Sequence, residues 1–138
     1  MTLQLSATVR DSMAMQPHAH INSLGSPRLL QLWSGTKPAI DLAPGGTKIA
    51  EITLPSTWMA AGPSTTAVKA GTWTVASCLA TGTIAFFRIV VGSTAHAQGT
   101  VSGPGGGGDM VLSSTAVITS TLQAVTVDTF VISTPTNA

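Results

Sequence analysis

The first hydrophobic residues of the chain recur at every fourth position. Leu5, Val9 and Met13 are separated mainly by polar residues, and this spacing predicts two or three turns of amphipathic helix. Pro17 lacks a backbone N–H and is expected to end that helix. Residues 18–27 are rich in turn-forming types, so we expect a mobile arm here that a partner orders.

Beyond this arm, short apolar runs alternate with glycine and proline, which is typical of β-strands. Residues 29–33 form the first run, and residues 47–54 alternate between two faces. A hairpin between these two segments is the simplest pairing. Residues 56–70 are predicted to form a loop, in which Trp58 plugs one end of the core.

The later strands differ in the character of their faces. Residues 71–77 and 122–133 are predicted strands, and residues 95–101 present one face of very small side chains. Residues 83–91 are apolar on both faces, apart from Arg88. Such a strand must be covered on both sides, either centrally within one chain or by a second subunit.

About seven or eight strands with regularly spaced turns predict an all-β fold, an antiparallel β-sandwich or barrel. No helical crossover pattern lies between the strands. The chain therefore divides into an N-terminal helix and arm over residues 1–27 and a single β-domain over residues 28–138.

Composition narrows the classes of partner. The 138 residues include six Lys+Arg and five Asp+Glu, for a net charge of +1. Without a basic surface, direct nucleic-acid binding would lack its main electrostatic contribution. No apolar run reaches the ~18 residues of a membrane span, so no membrane contact is expected. A nearly neutral surface favours assembly with neighbours.

Residues that could carry chemistry are scattered. His18 and His20 would point the same way in an extended segment and could share a metal ion with His96, but no acid or cysteine lies nearby, which favours exposed histidines. Cys78 lies among small apolar residues and is expected to be buried and inert. The carboxylates occur singly in different segments, which disfavours a two-carboxylate glycosidase. They are Asp11, Asp41, Glu51, Asp109 and Asp128.

The glycine run 103–108 is followed by Asp109 and Met110. A phosphate-binding loop needs a lysine and a serine or threonine there, so this run is predicted to be a flexible loop with positive φ or close backbone approach to another chain. No Gly-x-Ser-x-Gly motif occurs. The sequence thus predicts no catalytic, cofactor or metal site, and a protein that is not an enzyme.

Arg88 and the tryptophans leave alternatives open. A guanidinium inside an apolar strand requires an acid or carbonyl partner, and a structural ion pair is preferred to a subunit contact. Trp33, Trp58 and Trp73 could act as stacking platforms of a carbohydrate-binding module if they are exposed, but they more commonly belong to a core.

Seven short segments, in order along nearly the whole chain, carry a resemblance to a known family. They are LSATVR (5–10), LQLWSGTKPA (30–39), LPSTWMAA (54–61), GTW (71–73), FRI (87–89), QGTV (98–101) and GGGGDM (105–110). Together they resemble small virion structural proteins of tailed bacteriophages. The pair Val90-Val91 departs from the polar turn that is common in the family after Phe-Arg-Ile, so this strand is expected to be longer here.

This resemblance, with the predicted β-sandwich, implies a jelly roll like that of the capsid cement (decoration) proteins of some podoviruses. It implies a protein on the outer surface of the icosahedral head that bridges major capsid proteins, stabilises the shell against packaged DNA, and associates with itself as a dimer or trimer. A tail or head-fibre component is the alternative within the virion. No catalytic residue follows from the resemblance.

Overall fold

The computed structural model describes residues 4–63, 66–75, 78–117 and 124–133. In these ranges one helix, α1 (Ala7–Ser23), precedes eleven strands. The strands are β1 (Arg28–Trp33), β2 (Lys48–Thr53), β3 (Met59–Ala61), β4 (Thr66–Lys69), β5 (Thr74–Val75), β6 (Gly82–Thr83), β7 (Phe86–Val91), β8 (Thr94–Ser102), β9 (Met110–Leu112), β10 (Ala116–Val117) and β11 (Val125–Ser133).

Most strands join one sheet in the order β2-β1-β7-β8-β9-β11-β4-β3, with β5 paired to β11 and a separate β6/β10 ribbon. This sheet curls into a half-barrel, which confirms the predicted all-β fold and is consistent with a jelly-roll-like sandwich. The pairing departs from a wholly antiparallel arrangement at one place. Strands β8 and β9 run parallel, with Val101 opposite Met110.

The predicted hairpin of the first two strands is confirmed. Strands β1 and β2 pair antiparallel with Leu30 opposite Ile52, and both side chains are buried. Strand β7 lies between β1 and β8, and its first five residues are all buried. Of the two ways to cover this strand, the structure therefore shows the central position within one chain.

The prediction of a loop over residues 56–70 is wrong. Strands β3 and β4 lie in this segment and pair with each other, and Val131 of β11 lies opposite Val68 of β4. Both strands are short, and Gly62 and Pro63 lie between them, so the sequence shows no extended alternation here. The side chain of Trp58 is fully buried, so this residue belongs to the core. Residues 76–77 and 122–123 of the predicted strands lie outside the described residues.

The prediction that Pro17 ends the helix is also wrong, and so is the predicted turn-like structure for residues 18–23, whereas residues 24–27 do form a turn and irregular structure. Helix α1 continues through Pro17 to Ser23. Proline cannot donate to the carbonyl of Met13, but Met13 is 44% exposed, so water can reach that side of the helix. Ile21 is buried against the sheet, and this tertiary contact continues the helix beyond the proline.

Aromatic rings cross the core from α1 to the central strand. His18 contacts Trp58 at a ring-centroid distance of 5.1 Å, and Trp58 lies 6.1 Å from Trp73. Trp73 lies 5.9 Å from Phe130, which meets Phe87 edge-on at 5.3 Å. These contacts join the helix to both halves of the curled sheet.

The small-residue face of β8 makes room for one of these rings. A Cβ atom on Gly99 would lie 2.8 Å from Cε1 of Phe87 and 2.8 Å from Oδ2 of Asp109. Gly99 is opposite Phe87 in the β7/β8 register and is itself buried. The absence of a side chain at position 99 thus allows Phe87 to lie across the neighbouring strand.

Candidate functional site

The first candidate surface is the outward stripe of α1, formed by Val9, Ser12, Met13 and Gln16. Val9 is 45% exposed, and the four residues line a shallow pocket of about 340 Å³. The spacing of Val9 and Met13 led us to expect the packing face of the helix. The structure places the two side chains in solvent and buries Ala14 and Ile21 on the other side.

One asparagine fixes the C-terminal end of α1 to the segment that precedes β3. The Asn22 Oδ1 atom accepts a hydrogen bond from Trp58 Nε1 at 3.0 Å, and Nδ2 donates to the Ser56 carbonyl at 2.8 Å. At the N-terminus, the Ser6 hydroxyl accepts from the Val9 amide at 3.3 Å. The Ser6 bond caps the helix locally, whereas Asn22 and the buried side chains of Ala14 and Ile21 attach the helix to the core and so set the direction of the outward stripe.

His18 lies beside this anchor. Its Nε2 atom is 3.3 Å from Asn22 Nδ2, while its buried Nδ1 atom has no hydrogen-bond partner among the described residues. Burial, and secondarily the charge of Arg28, lowers the pKa of His18 from its ordinary value. Packing of the helix on the core therefore favours the neutral form of the His18 ring.

The second candidate surface is the loop of residues 38–43, which covers the outer face of β7. Arg88 Nη2 donates to three loop carbonyls, those of Ala39 at 3.1 Å, Ile40 at 3.3 Å and Leu42 at 2.6 Å. Its Nε atom donates to Gln98 Oε1 at 3.1 Å. The prediction of a structural ion pair for Arg88 is therefore wrong, because its described partners are carbonyl oxygens.

Where this loop packs on the sheet, it leaves apolar side chains exposed to solvent. Gln98 Nε2 donates to the Pro38 carbonyl at 2.6 Å and holds the start of the loop. Ile40 is then 36% and Leu42 61% exposed. A pocket of about 340 Å³ lies beside them, and Arg88 lines part of its wall.

The two surfaces lie on different sides of the sheet. Phe87 belongs to the same inner core cluster as Ala14 and Ile21 of α1. Arg88 follows Phe87 in the strand and must point to the opposite face, because successive side chains alternate. The outward stripe of α1 and the loop over Arg88 can therefore face two different neighbours.

The five carboxylates remain apart in the structure. Glu51 forms an ion pair with Lys48 at 2.8 Å, which is the main reason that its pKa is lowered. Asp109 Oδ2 accepts from the amide of Thr100 at 2.9 Å and so ties β8 to the start of β9. Asp41 lies on the wall of the Arg88 pocket. Asp11 and Asp128 are exposed, on α1 and β11.

The histidines and the cysteine have separate surroundings. His18 and His20 lie on a helix instead of an extended segment, so they point in different directions. His18 packs on Trp58, His20 is exposed and His96 is half-buried. In the described ranges, no group of three His, Cys, Asp or Glu residues could hold a metal ion. Cys78 is half-buried, and burial raises the pKa of its thiol.

Two of the three tryptophans cannot serve as stacking platforms for a sugar. Trp58 and Trp73 have no exposed surface. Trp33 is half-buried, lies parallel to Phe86 at a ring-centroid distance of 6.4 Å, and donates from Nε1 to Gln31 at 3.3 Å. A carbohydrate-binding surface would therefore rest on Trp33 alone among these residues.

The glycine run forms the connection between β8 and β9. Gly105 has φ of 78°, as the prediction of positive φ required. The close approach is to the same chain, since a Cβ atom on Gly108 would lie 2.6 Å from the Ser102 amide nitrogen.

Sequence reasoning missed Asn22 and the loop carbonyls. Asn22 lies in a segment predicted to be a turn, and no sequence pattern pairs a backbone carbonyl with a distant arginine.

In the described residues, no helix combines the length and hydropathy needed to cross a lipid bilayer. Comparison with known proteins finds no protein-family model, no curated protein and no solved structure that matches this chain.

Proposed function

We propose that this chain is a capsid cement (decoration) protein of a tailed bacteriophage. It binds the outside of the icosahedral head and bridges neighbouring major capsid proteins. The observation that carries the proposal is the outward stripe of α1, where Val9 and Met13 remain about half exposed although the helix itself is firmly docked. An ordered apolar stripe in solvent is typical of a surface that a partner covers.

Bridging requires contacts on more than one side of the molecule. The outward stripe of α1 provides one, and Ile40 and Leu42 on the outer face of β7 provide another. A specific interface buries about 1,000 Å² or more in total. Each surface is small, so we propose that association with further copies, as a dimer or trimer, adds area and that many copies act together on one shell.

The scarcity of charge supports the same function. Only 8% of the residues are charged, and the net charge is +1. Such a surface has little electrostatic repulsion between copies, which suits close packing on a shell. The function is mechanical: buried interface across the joints between capsid subunits opposes the outward pressure of packaged DNA.

Copy number and position in purified particles test this proposal. Quantitative mass spectrometry should find hundreds of copies per particle, and labelling of intact heads should reach the protein from outside. A dozen copies or fewer would support the tail or head-fibre alternative instead. Absence from mature particles would overturn a virion function altogether.

A further inference from the structure

We propose that the pocket beside Arg88 binds a carboxylate, and that the ligand in the assembled particle is a Glu or Asp side chain of a partner protein. The pocket has a volume of about 340 Å³. Its wall includes Arg88 of β7, Asp41 of the covering loop, and Ser93 and Thr94 at the start of β8.

The first argument is an unbalanced charge. Arg88 is only 6% exposed, yet no ion pair links it to a carboxylate in the described part of the chain. Carbonyl oxygens stabilise a guanidinium by hydrogen bonding but do not neutralise it. The guanidinium therefore favours an anion from outside in this pocket, and the Asp41 carboxylate on the same wall opposes that attraction in part.

The second argument is the donor capacity that remains at the pocket. The described bonds of Arg88 use Nε toward Gln98 and Nη2 toward the loop carbonyls. Nη1 takes part in none of these bonds, and Arg88 is one of the residues that line the pocket. The exposed hydroxyl residues Ser93 and Thr94 line the same space and can donate to a second ligand oxygen.

The third argument concerns the class of anion. Ile40, Leu42 and Ala95 give the wall apolar area that suits the aliphatic stem of a side chain. Asp41 lies on the same wall and repels a doubly charged phosphate more strongly than a singly charged carboxylate. A carboxylate on a short aliphatic stem satisfies both features.

The inference that a partner protein supplies the carboxylate rests on the proposed function, whereas the inference of a carboxylate site does not. The site is therefore tested without particles. The isolated chain is titrated with sodium propionate, with sodium phosphate and with sodium chloride at constant ionic strength, and backbone amide shifts are followed by NMR. A terminally blocked tripeptide with one central glutamate distinguishes a protein-borne carboxylate from a small free one.

We expect saturable shifts at Leu42, Ser93, Thr94 and Ala95 with propionate and with the glutamate peptide, at millimolar dissociation constants. Thr94→Val should weaken the binding of propionate and of the peptide by threefold or more, and Asp41→Asn should strengthen the binding of each by twofold or more. The matched control Thr53→Val, at an exposed threonine of β2, should leave them unchanged. These variants spare the bonds of Arg88 to the loop, so they test the site without loss of the fold.

Shifts with propionate no larger than with chloride would overturn the site. Tighter binding of phosphate than of propionate would overturn the assignment to carboxylates. Binding of propionate but not of the peptide would overturn the partner side chain as the ligand. None of these outcomes depends on whether the chain is found on phage heads, so failure of the proposed function is measured separately.

Discussion

The side chain of Asn22 joins the N-terminal helix to the core by accepting a hydrogen bond from the buried indole of Trp58, 3.0 Å away. Replacement by alanine would leave a buried N–H without a partner. We expect Asn22→Ala to lower the free energy of unfolding by about 1–3 kcal/mol. Urea denaturation measures this loss. Ser23→Ala, which removes an exposed hydroxyl one residue later, is the control, and equal effects of the two variants would contradict this anchor.

His18 should make the stability of the fold depend on pH. Its pKa is lowered in the folded state, so the unfolded chain binds more protons as the pH falls. Neutral His18 makes its full contribution to the free energy of unfolding above pH 6.5, the ordinary pKa of histidine, which applies in the unfolded chain. This contribution is lost as the pH falls below 6.5 toward the lowered pKa of the folded state. Urea denaturation should show a larger loss between pH 7.5 and pH 5.5 for the wild type than for His18→Gln.

The control for this pH dependence is His20→Gln. His20 lies on the same helix but is exposed, so this variant should lose stability with falling pH as the wild type does. If His18→Gln and the wild type changed by the same amount, burial of His18 would not be the cause.

Gly99 is required by the position of the Phe87 ring. A methyl group there would lie within 2.8 Å of both that ring and Asp109. Gly99→Ala should therefore lower the free energy of unfolding by about 1–3 kcal/mol, the usual cost of overpacking. Gly107→Ala is the matched control, since nothing lies within 4 Å of its added methyl group. A stable Gly99→Ala protein with an unchanged Phe87 environment by NMR would refute this packing.

Arg88 should hold the loop of residues 38–43 on the sheet. Arg88→Met removes the donor to three loop carbonyls, and we expect a loss of about 2 kcal/mol or more in unfolding free energy. Hydrogen exchange of the Leu42 amide, which bonds to the Ala39 carbonyl, should become at least tenfold faster. Lys37→Met removes an exposed charge nearby and should leave that exchange rate unchanged. Unchanged exchange in Arg88→Met would disprove the anchoring.

Patterns that depend on neighbouring residues were predictable from the sequence. The alternation in residues 47–54 predicted β2 correctly. The apolar run 83–91 located β7, but the structure divides that run into β6, which pairs with β10, and β7. Strands β3 and β4 escaped prediction because each has four residues or fewer and lies close to Gly62 and Pro63. Strand β4 is stabilised by pairing with the distant strand β11, which a local pattern does not contain, and β3 pairs in turn with β4.

Features that depend on distant residues were not predictable. Helix α1 continues beyond Pro17 because Ile21 and Asn22 contact a sheet formed later in the chain. The regular spacing of Val9 and Met13 identified a helix correctly but not the direction of its apolar stripe. For Arg88 the sequence allows an acid or a carbonyl partner and favours the acid, whereas the fold supplies backbone carbonyls 46–49 positions away.

The proposed function makes the outward stripe of α1 the surface that binds the head. Val9→Gln combined with Met13→Gln replaces two exposed apolar side chains by polar ones that favour a helix. The free energy of unfolding should stay within about 0.5 kcal/mol of the wild type. The matched control is Leu79→Gln combined with Val131→Gln, at side chains that are 62% and 46% exposed elsewhere on the molecule.

The most direct test is the binding of these purified proteins to phage heads that lack the chain, measured by co-sedimentation across a range of protein concentrations. The proposed function predicts saturable binding of the wild type and of the control, with at least tenfold weaker binding of the stripe variant. Wild-type protein that fails to sediment with the heads, or a stripe variant that binds as tightly as the wild type, would contradict it.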